Sequence, residues 1–221
     1  MNALREVVLG SGSTVWRTLA GRRELDGFTA IGHADLPGFR FTPSDRVWVL
    51  AYSRNARENE PMLERLHQAG VREIVYVSSS STVVNGLSRC YEYPRLKWQA
   101  EMRALALPQS RVLTLGLMHA STDELPAGPC VATSYDELAA FLLQPEWPED
   151  GGRRKSLLRV VQRPFRGPLE RALHRAYGRA QAWLGAWPCL LRPADLLLRA
   201  CGFRWYGYTY LSNRLWMSKI S

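Results

Sequence analysis

The sequence predicts an α/β fold: a mostly parallel sheet with helices on both faces, followed by a basic helical lobe. Three observations predict it. Short apolar runs ending at glycine or serine alternate with segments of helical spacing over residues 6–143, the pattern of βαβ units. A small-residue turn with two glycines follows the first of those runs. The pattern then breaks at 144–155, where Pro145, Pro148, Gly151 and Gly152 cluster and the charge changes sign. The expected division is a nucleotide-fold domain over 1–150 and a basic amphipathic lobe over 151–221.

The elements follow in order. Residues 6–10 read as a buried strand ending in Gly10, and 14–20 as a helix. Phe28-Thr29-Ala30-Ile31 is a second strand, and 46–51 a third. Met62, Leu63, Leu66 and Ala69 have helical spacing over 58–69, with Gly70 placed as a C-cap. Glu73-Ile74-Val75-Tyr76-Val77 carries the strongest strand signal. A helix over 93–105, a strand over 112–115 and a short helix over 136–143 complete the first part.

Composition excludes several classes. The 221 residues are 46% apolar and 22% charged, ordinary globular usage. Cys90, Cys130, Cys189 and Cys201 are scattered without a Cys-x-x-Cys pair, which argues against a zinc site or a disulfide framework. His33 reads as a loop residue, and no metal is expected. The N-terminus runs into a strand-like segment without a signal-peptide apolar region. The expected location is the cytoplasm, with the inner face of the membrane as a second address. The net charge of +9 divides unequally: −3 over 1–150 and +12 over 151–221, where only Glu170 and Asp195 are acidic. Such a surface needs an anionic partner or free solvation.

Gly10-Ser11-Gly12-Ser13-Thr14 has the first two glycines of a dinucleotide-binding turn. The first permits the tight turn, and the second lets backbone N–H groups approach a pyrophosphate. Val15 stands where a third glycine is usual. Asp35, 23 residues after Gly12, is the candidate acid for the adenosine ribose. Taken alone, the turn also fits a plain strand–turn–helix, and Asp35 a solvated loop.

A second constellation follows the strongest strand: Ser78-Ser79-Ser80-Ser81-Thr82, then Tyr93-Pro94-Arg95-Leu96-Lys97. The i, i+4 spacing places Tyr93 and Lys97 on one helical face. An ammonium near a phenol lowers the phenol's pKa. A serine hydroxyl beside them completes a proton relay for redox chemistry at a carbinol carbon. With nine Tyr and three Lys in the chain, about 0.1 Tyr-x-x-x-Lys matches are expected by chance. Arginine supplies 26 of the 29 basic residues, yet lysine stands where this chemistry needs a compact ammonium.

In this order the motifs resemble the extended short-chain dehydrogenase/reductases, and most of all their NAD-dependent epimerase/dehydratase branch. The resemblance spans roughly residues 5–140 and is most specific over 73–101. It implies a Rossmann-like fold, NAD or NADP as cofactor, and a sugar carried on a nucleotide or lipid diphosphate as substrate. It implies Ser80, Tyr93 and Lys97 as catalytic residues. It implies Gly10, Ser11, Gly12, Ser13, Thr14, Asp35, Ala51, Tyr52, Ser78 and Lys97 as the cofactor site. The chain departs from the family at Val15, in a short link between the second and third strands, and in a short serine-to-tyrosine connection. The expected function is an NAD(P)-dependent epimerase, dehydratase or ketoreductase in surface polysaccharide or glycoconjugate synthesis. The alternative is a non-catalytic binding or scaffold protein at the membrane surface.

The tail supplies that alternative. Apolar residues recur at 169, 172, 173, 176, 177, 180, 183, 184 and 187, with Arg171, Arg175 and Arg179 beside them. A short helix is expected around 196–200. Phe203, Trp205, Tyr206, Tyr208 and Tyr210 follow. Three uses fit residues 168–216: packing on the chain's own domain, an anionic membrane surface, or nucleic acid, which no module pattern supports.

Overall fold

The computed structural model describes residues 4–51, 56–86, 91–184 and 207–220, with positions 187, 190, 193, 194, 196, 197 and 200 between them. These residues form two compact units. The first comprises 1–78, 96–114 and 135–157; the second comprises 79–95, 115–134 and 158–221. The chain therefore leaves and re-enters each unit, where the sequence suggested a single cut near residue 150.

The first unit holds a six-stranded sheet. Its strands are β1 (Arg5–Leu9), β2 (Thr29–Ile31), β3 (Asp45–Val49), β4 (Glu73–Ser79), β5 (Ser110–Leu115) and β8 (Arg154–Leu157), in the order β2-β1-β3-β4-β5-β8. β1 pairs in parallel with both β2 and β3, and β3 with β4. Helices cover both faces, as expected for a Rossmann-like fold. Val7, Leu9, Val47, Val49, Ile74 and Tyr76 point to one face. There they pack with Met62, Leu63 and Leu66 of α2 (Ala56–Gln68) and Ala100 and Ala104 of α3 (Glu92–Ala106). Val8 and Trp48 alternate to the other face, where the Trp48 ring meets Phe141 of α4 (Tyr135–Leu143) edge-on at 6.2 Å. The short α1 (Thr14–Leu19) packs against α4 on that side.

The short link between the second and third strands has a structural consequence. Residues 32–44 cross from β2 to β3 without a helix. Strand order reverses at β1, so β1 and β3 flank the point where an open α/β sheet admits a ligand at its carboxyl ends. Gly10 sits there with φ +121°, and a Cβ on it would stand 2.7 Å from the Ala51 nitrogen. Backbone bonds from Gly10 N to Ile31 O (2.8 Å) and Ala51 N to Leu9 O (2.9 Å) close the three strand ends together. Only glycine fits that conformation at that separation.

The second unit adds strand to the basic helical lobe expected over 151–221. β9 (Arg159–Arg163) is antiparallel to β7 (Gly128–Ser134), which pairs in parallel with β6 (Leu117–His119). Residues 154–157 meanwhile belong to the first sheet. β9 alternates exposed and half-buried residues and carries Arg159 and Arg163, which hides it in a basic composition. The helices α5 (Pro168–Leu184) and α6 (Gly207–Ile220) follow, and between them the described positions 190, 193, 194, 196, 197 and 200 are helical, where a short helix around 196–200 was expected. Tyr177 of α5 and Tyr210 of α6 pack edge-to-face at 5.4 Å over Leu125, Cys130 and Ala132. Asn213 of α6 caps the second sheet, accepting from Val131 N (2.6 Å) and donating to Pro129 O (3.2 Å).

Candidate active site

Two groups of the expected residues belong to the first unit. At the strand-order reversal, Gly10, Ser11, Gly12 and Ser13 form the turn into α1. Nothing lies within 4 Å of the position a Gly12 Cβ would take, so the backbone there is open to a close-approaching group. The turn thus fits the pyrophosphate of a dinucleotide. Ser13 caps α1 by accepting from Trp16 N (3.1 Å), and Thr14 opens the helix. Asp35 lies in the β2–β3 link, where one carboxylate oxygen accepts from Gly32 N (2.9 Å) and ties down the end of β2. Ala51 is buried at the end of β3. Tyr52 lies outside the described residues.

The other group surrounds Lys97. Its ammonium is buried, donates to the Val77 carbonyl (2.9 Å) and lies 5.1 Å from the centre of the Tyr76 ring. Glu101, one turn further along α3, is also buried. It accepts from the Ser78 hydroxyl (2.7 Å) and pairs with Arg154. Ser78, expected at the cofactor, thus has its hydroxyl engaged with this carboxylate. Burial lowers the Lys97 pKa from 10.5 to about 8, and the Glu101 charge opposes the fall.

The folded value lies below the unfolded one, so the unfolded chain holds more protons between about pH 8 and 10.5. Stability therefore rises with pH across that window. Lys97→Met is expected to remove this rise, read as the difference between variant and wild-type urea midpoints at the two ends of the window.

The second unit holds Ser80 and Tyr93. They line one cleft of about 210 Å³ with Ser79, Ser81, Gly116, Leu117, Met118, Tyr208, Thr209 and Ser212. The serine run is not four equivalent hydroxyls. Ser79 Oγ accepts from Ser81 N (3.2 Å) and from Ser81 Oγ (3.0 Å). The Ser80 hydroxyl has no hydrogen-bond partner among the described residues, and it lies on the cleft. Its carbonyl accepts from the Trp216 indole (2.9 Å), which fixes the turn 80–84 against α6. Tyr93 stands in the first turn of α3, one helical turn before Lys97 on the same face.

Sequence reasoning missed Gly116, Tyr208, Thr209 and Ser212. Gly116 has a geometric reason: a Cβ there would stand 2.8 Å from the backbone of Ala132. Tyr208, Thr209 and Ser212 lie within 168–216, for which the sequence leaves self-packing, a membrane surface and nucleic acid open. Tyr208 packs on Tyr93 (5.8 Å, 31°) and on Tyr91 (5.2 Å, 69°). Phe203, Arg204, Trp205 and Tyr206 lie outside the described residues. The aromatic residues at 208, 210 and 216 were the available signal, but they form no regular apolar stripe.

Solved structures share the fold. The chain superposes on dTDP-4-dehydrorhamnose reductase from Bacillus anthracis, solved in complex with NADP, with a TM-score of 0.53 and 9% identity over 73% of this chain and 76% of that one. For the dTDP-4-dehydrorhamnose reductase of Clostridium acetobutylicum the TM-score is 0.51 and the identity 13%, over 71% and 75% of the two chains. A GDP-L-fucose synthetase from Naegleria fowleri bound to NADP matches at 0.50 and 11%, over 70% and 76%. No protein-family model and no curated protein sequence matches the chain. The fold of this chain is therefore the Rossmann-like α/β fold that these proteins share.

Proposed function

We propose that the chain is an NAD(P)-dependent oxidoreductase or epimerase acting on a hydroxyl or keto carbon of a sugar carried on a diphosphate. The observation that carries this reading is the pairing of the Ser80 hydroxyl with Tyr93 in one cleft. A buried lysine follows Tyr93 by one turn of the same helix. The shared fold with NADP-bound sugar-nucleotide enzymes supports it, as does the open backbone at Gly12.

In this reading Gly10, Ser11, Gly12, Ser13, Thr14 and Ala51 hold the dinucleotide, with Asp35 and Lys97 toward its riboses. The nicotinamide, when bound, supplies or accepts the hydride. The Ser80 hydroxyl donates to the substrate oxygen and orients it. Tyr93 exchanges the proton of that oxygen: it gives one as a carbonyl becomes a hydroxyl and takes one in the reverse direction. Lys97 favours the phenolate. Tyr208 holds the Tyr93 ring by packing on it. A cleft of about 210 Å³ is below the ~300–1,000 Å³ of whole-ligand sites, so it takes one sugar ring and leaves the diphosphate outside. The basic excess over 151–221 suits that anion, and the setting that goes with this reading is surface polysaccharide or glycoconjugate synthesis.

The test is turnover of a panel of nucleoside-diphosphate sugars and 4-keto sugars with all four nicotinamide forms, followed by product analysis. A sugar-dependent change in cofactor redox state, or an epimerised product, supports the reading. A protein that binds dinucleotide yet converts none of the panel is the non-catalytic alternative.

A further inference from the structure

We propose that α5, with the exposed apolar side chains that follow it, is a peripheral binding surface for an anionic lipid bilayer. The structure decides which of the tail's faces is used internally. Glu170, His174, Tyr177 and Gly178 form the inner stripe of α5. Glu170 accepts from Arg163 (2.7 Å) and from Arg166 N (2.6 Å). The His174 ring meets Phe165 at 5.3 Å, Tyr177 is buried, and Gly178 admits the Tyr210 hydroxyl where a side chain would collide. This stripe is narrow and partly polar, and it leaves most of the apolar periodicity outside.

What remains outside is amphipathic. At about 100° per residue, Leu169, Ala172, Leu173, Ala176, Ala180 and Trp183 fall within one sector of about 100°. Arg171, Arg175 and Arg179 fill the adjoining sector of about 80°. All nine residues are exposed, Leu169 to 72% and Trp183 to 64%. Trp187, Leu190, Leu196 and Leu197 add further exposed apolar side chains. None of the three arginines has an acidic partner among the described residues, and only Arg171 has a ring contact, to Phe165 at 5.7 Å.

Charge complementarity selects the occupant. The surface combines leucine and tryptophan with arginines on one helix, within a segment of net charge +12. An interfacial helix needs that pair of features: apolar side chains entering the acyl boundary and cations at the headgroups. Arginine also reaches headgroups while its stem stays among apolar atoms. No helix among the described residues is long and apolar enough to cross a membrane, so the mode is attachment. The surface is narrower than the 168–216 expected from sequence, because Tyr208, Tyr210 and Trp216 are engaged inside the second unit.

The experiment is flotation of the full chain with vesicles of phosphatidylglycerol and phosphatidylcholine in equal parts, against vesicles of phosphatidylcholine alone. The chain is expected to float with the anionic vesicles at low salt. It should be released near 1 M salt, where the Debye length is about 3 Å. Arg171→Gln, Arg175→Gln and Arg179→Gln together are expected to weaken partitioning by roughly 100-fold, about fivefold per charge. Leu169→Ser with Leu173→Ser and Trp183→Ser is expected to cost at least about tenfold. Both variants change exposed side chains, so thermal unfolding should be unaltered, and this is measured alongside. Three results overturn the proposal: no flotation at low salt, equal flotation on neutral vesicles, or capture of duplex nucleic acid by a chain that ignores both vesicles.

Discussion

Tyr93→Phe is expected to lower turnover by about 10²–10⁴-fold, the range that a positioned acid or base contributes. The phenylalanine ring keeps the packing on Tyr208, whose ring also meets Tyr91. It removes the hydroxyl and with it the exchangeable proton. Dinucleotide affinity should therefore stay within about twofold, since the binding turn is on other elements. The measurement is kcat on the best substrate of the panel, with cofactor affinity measured on the same preparation. Loss of both together would mean that Tyr93 is structural. Loss of neither would remove it from the chemistry.

Glu101→Gln should have the largest effect on stability. Glu101 is buried, takes the Ser78 hydroxyl and Arg154, and supplies the charge that opposes the fall in the Lys97 pKa. Removing one member of a buried charge network leaves an uncompensated ion, at a cost of about 3–5 kcal/mol. Arg154 is half exposed and regains water, so the uncompensated ion is Lys97. Its pKa then drops further below about 8, and it becomes neutral at lower pH. The expected signature is a urea midpoint well below wild type, together with an alkaline limb of the rate profile displaced toward acid. A loss of stability without that displacement would make Glu101 a packing and hydrogen-bonding residue alone.

The parts of this molecule legible in sequence are those with a local signature. β1, β3 and β4 are continuous apolar runs because both their faces are covered, and α2 and α3 carry apolar residues at helical spacing. The glycine turn and Tyr-x-x-x-Lys are short-range patterns, so their positions on elements followed directly. What escaped has non-local causes. β6 and β9 are strands through pairing with β7, and their own residues alternate only weakly. The cleft wall formed by Tyr208, Thr209 and Ser212 depends on a return of the chain from beyond residue 200 to the turn at 80–84. No spacing rule reports such a return. The tail shows the reverse case. Its apolar period runs along α5, but a period cannot say which side is covered. Tyr177 and Gly178 face inward while Leu169, Leu173 and Trp183 do not.

We propose that the turn at Gly10 and Gly12 holds the nicotinamide dinucleotide. Gly12 separates binding from folding, because nothing lies within 4 Å of its would-be Cβ. Isothermal calorimetry of wild type and Gly12→Val with NAD, NADH, NADP and NADPH tests this directly. Wild type is expected to bind at least one form saturably, one per chain. Gly12→Val should bind it about 100-fold more weakly at an unchanged melting temperature, since valine occupies the space the pyrophosphate needs. A folded wild-type protein that takes up none of the four, or a valine variant that binds as well as wild type, would contradict the account.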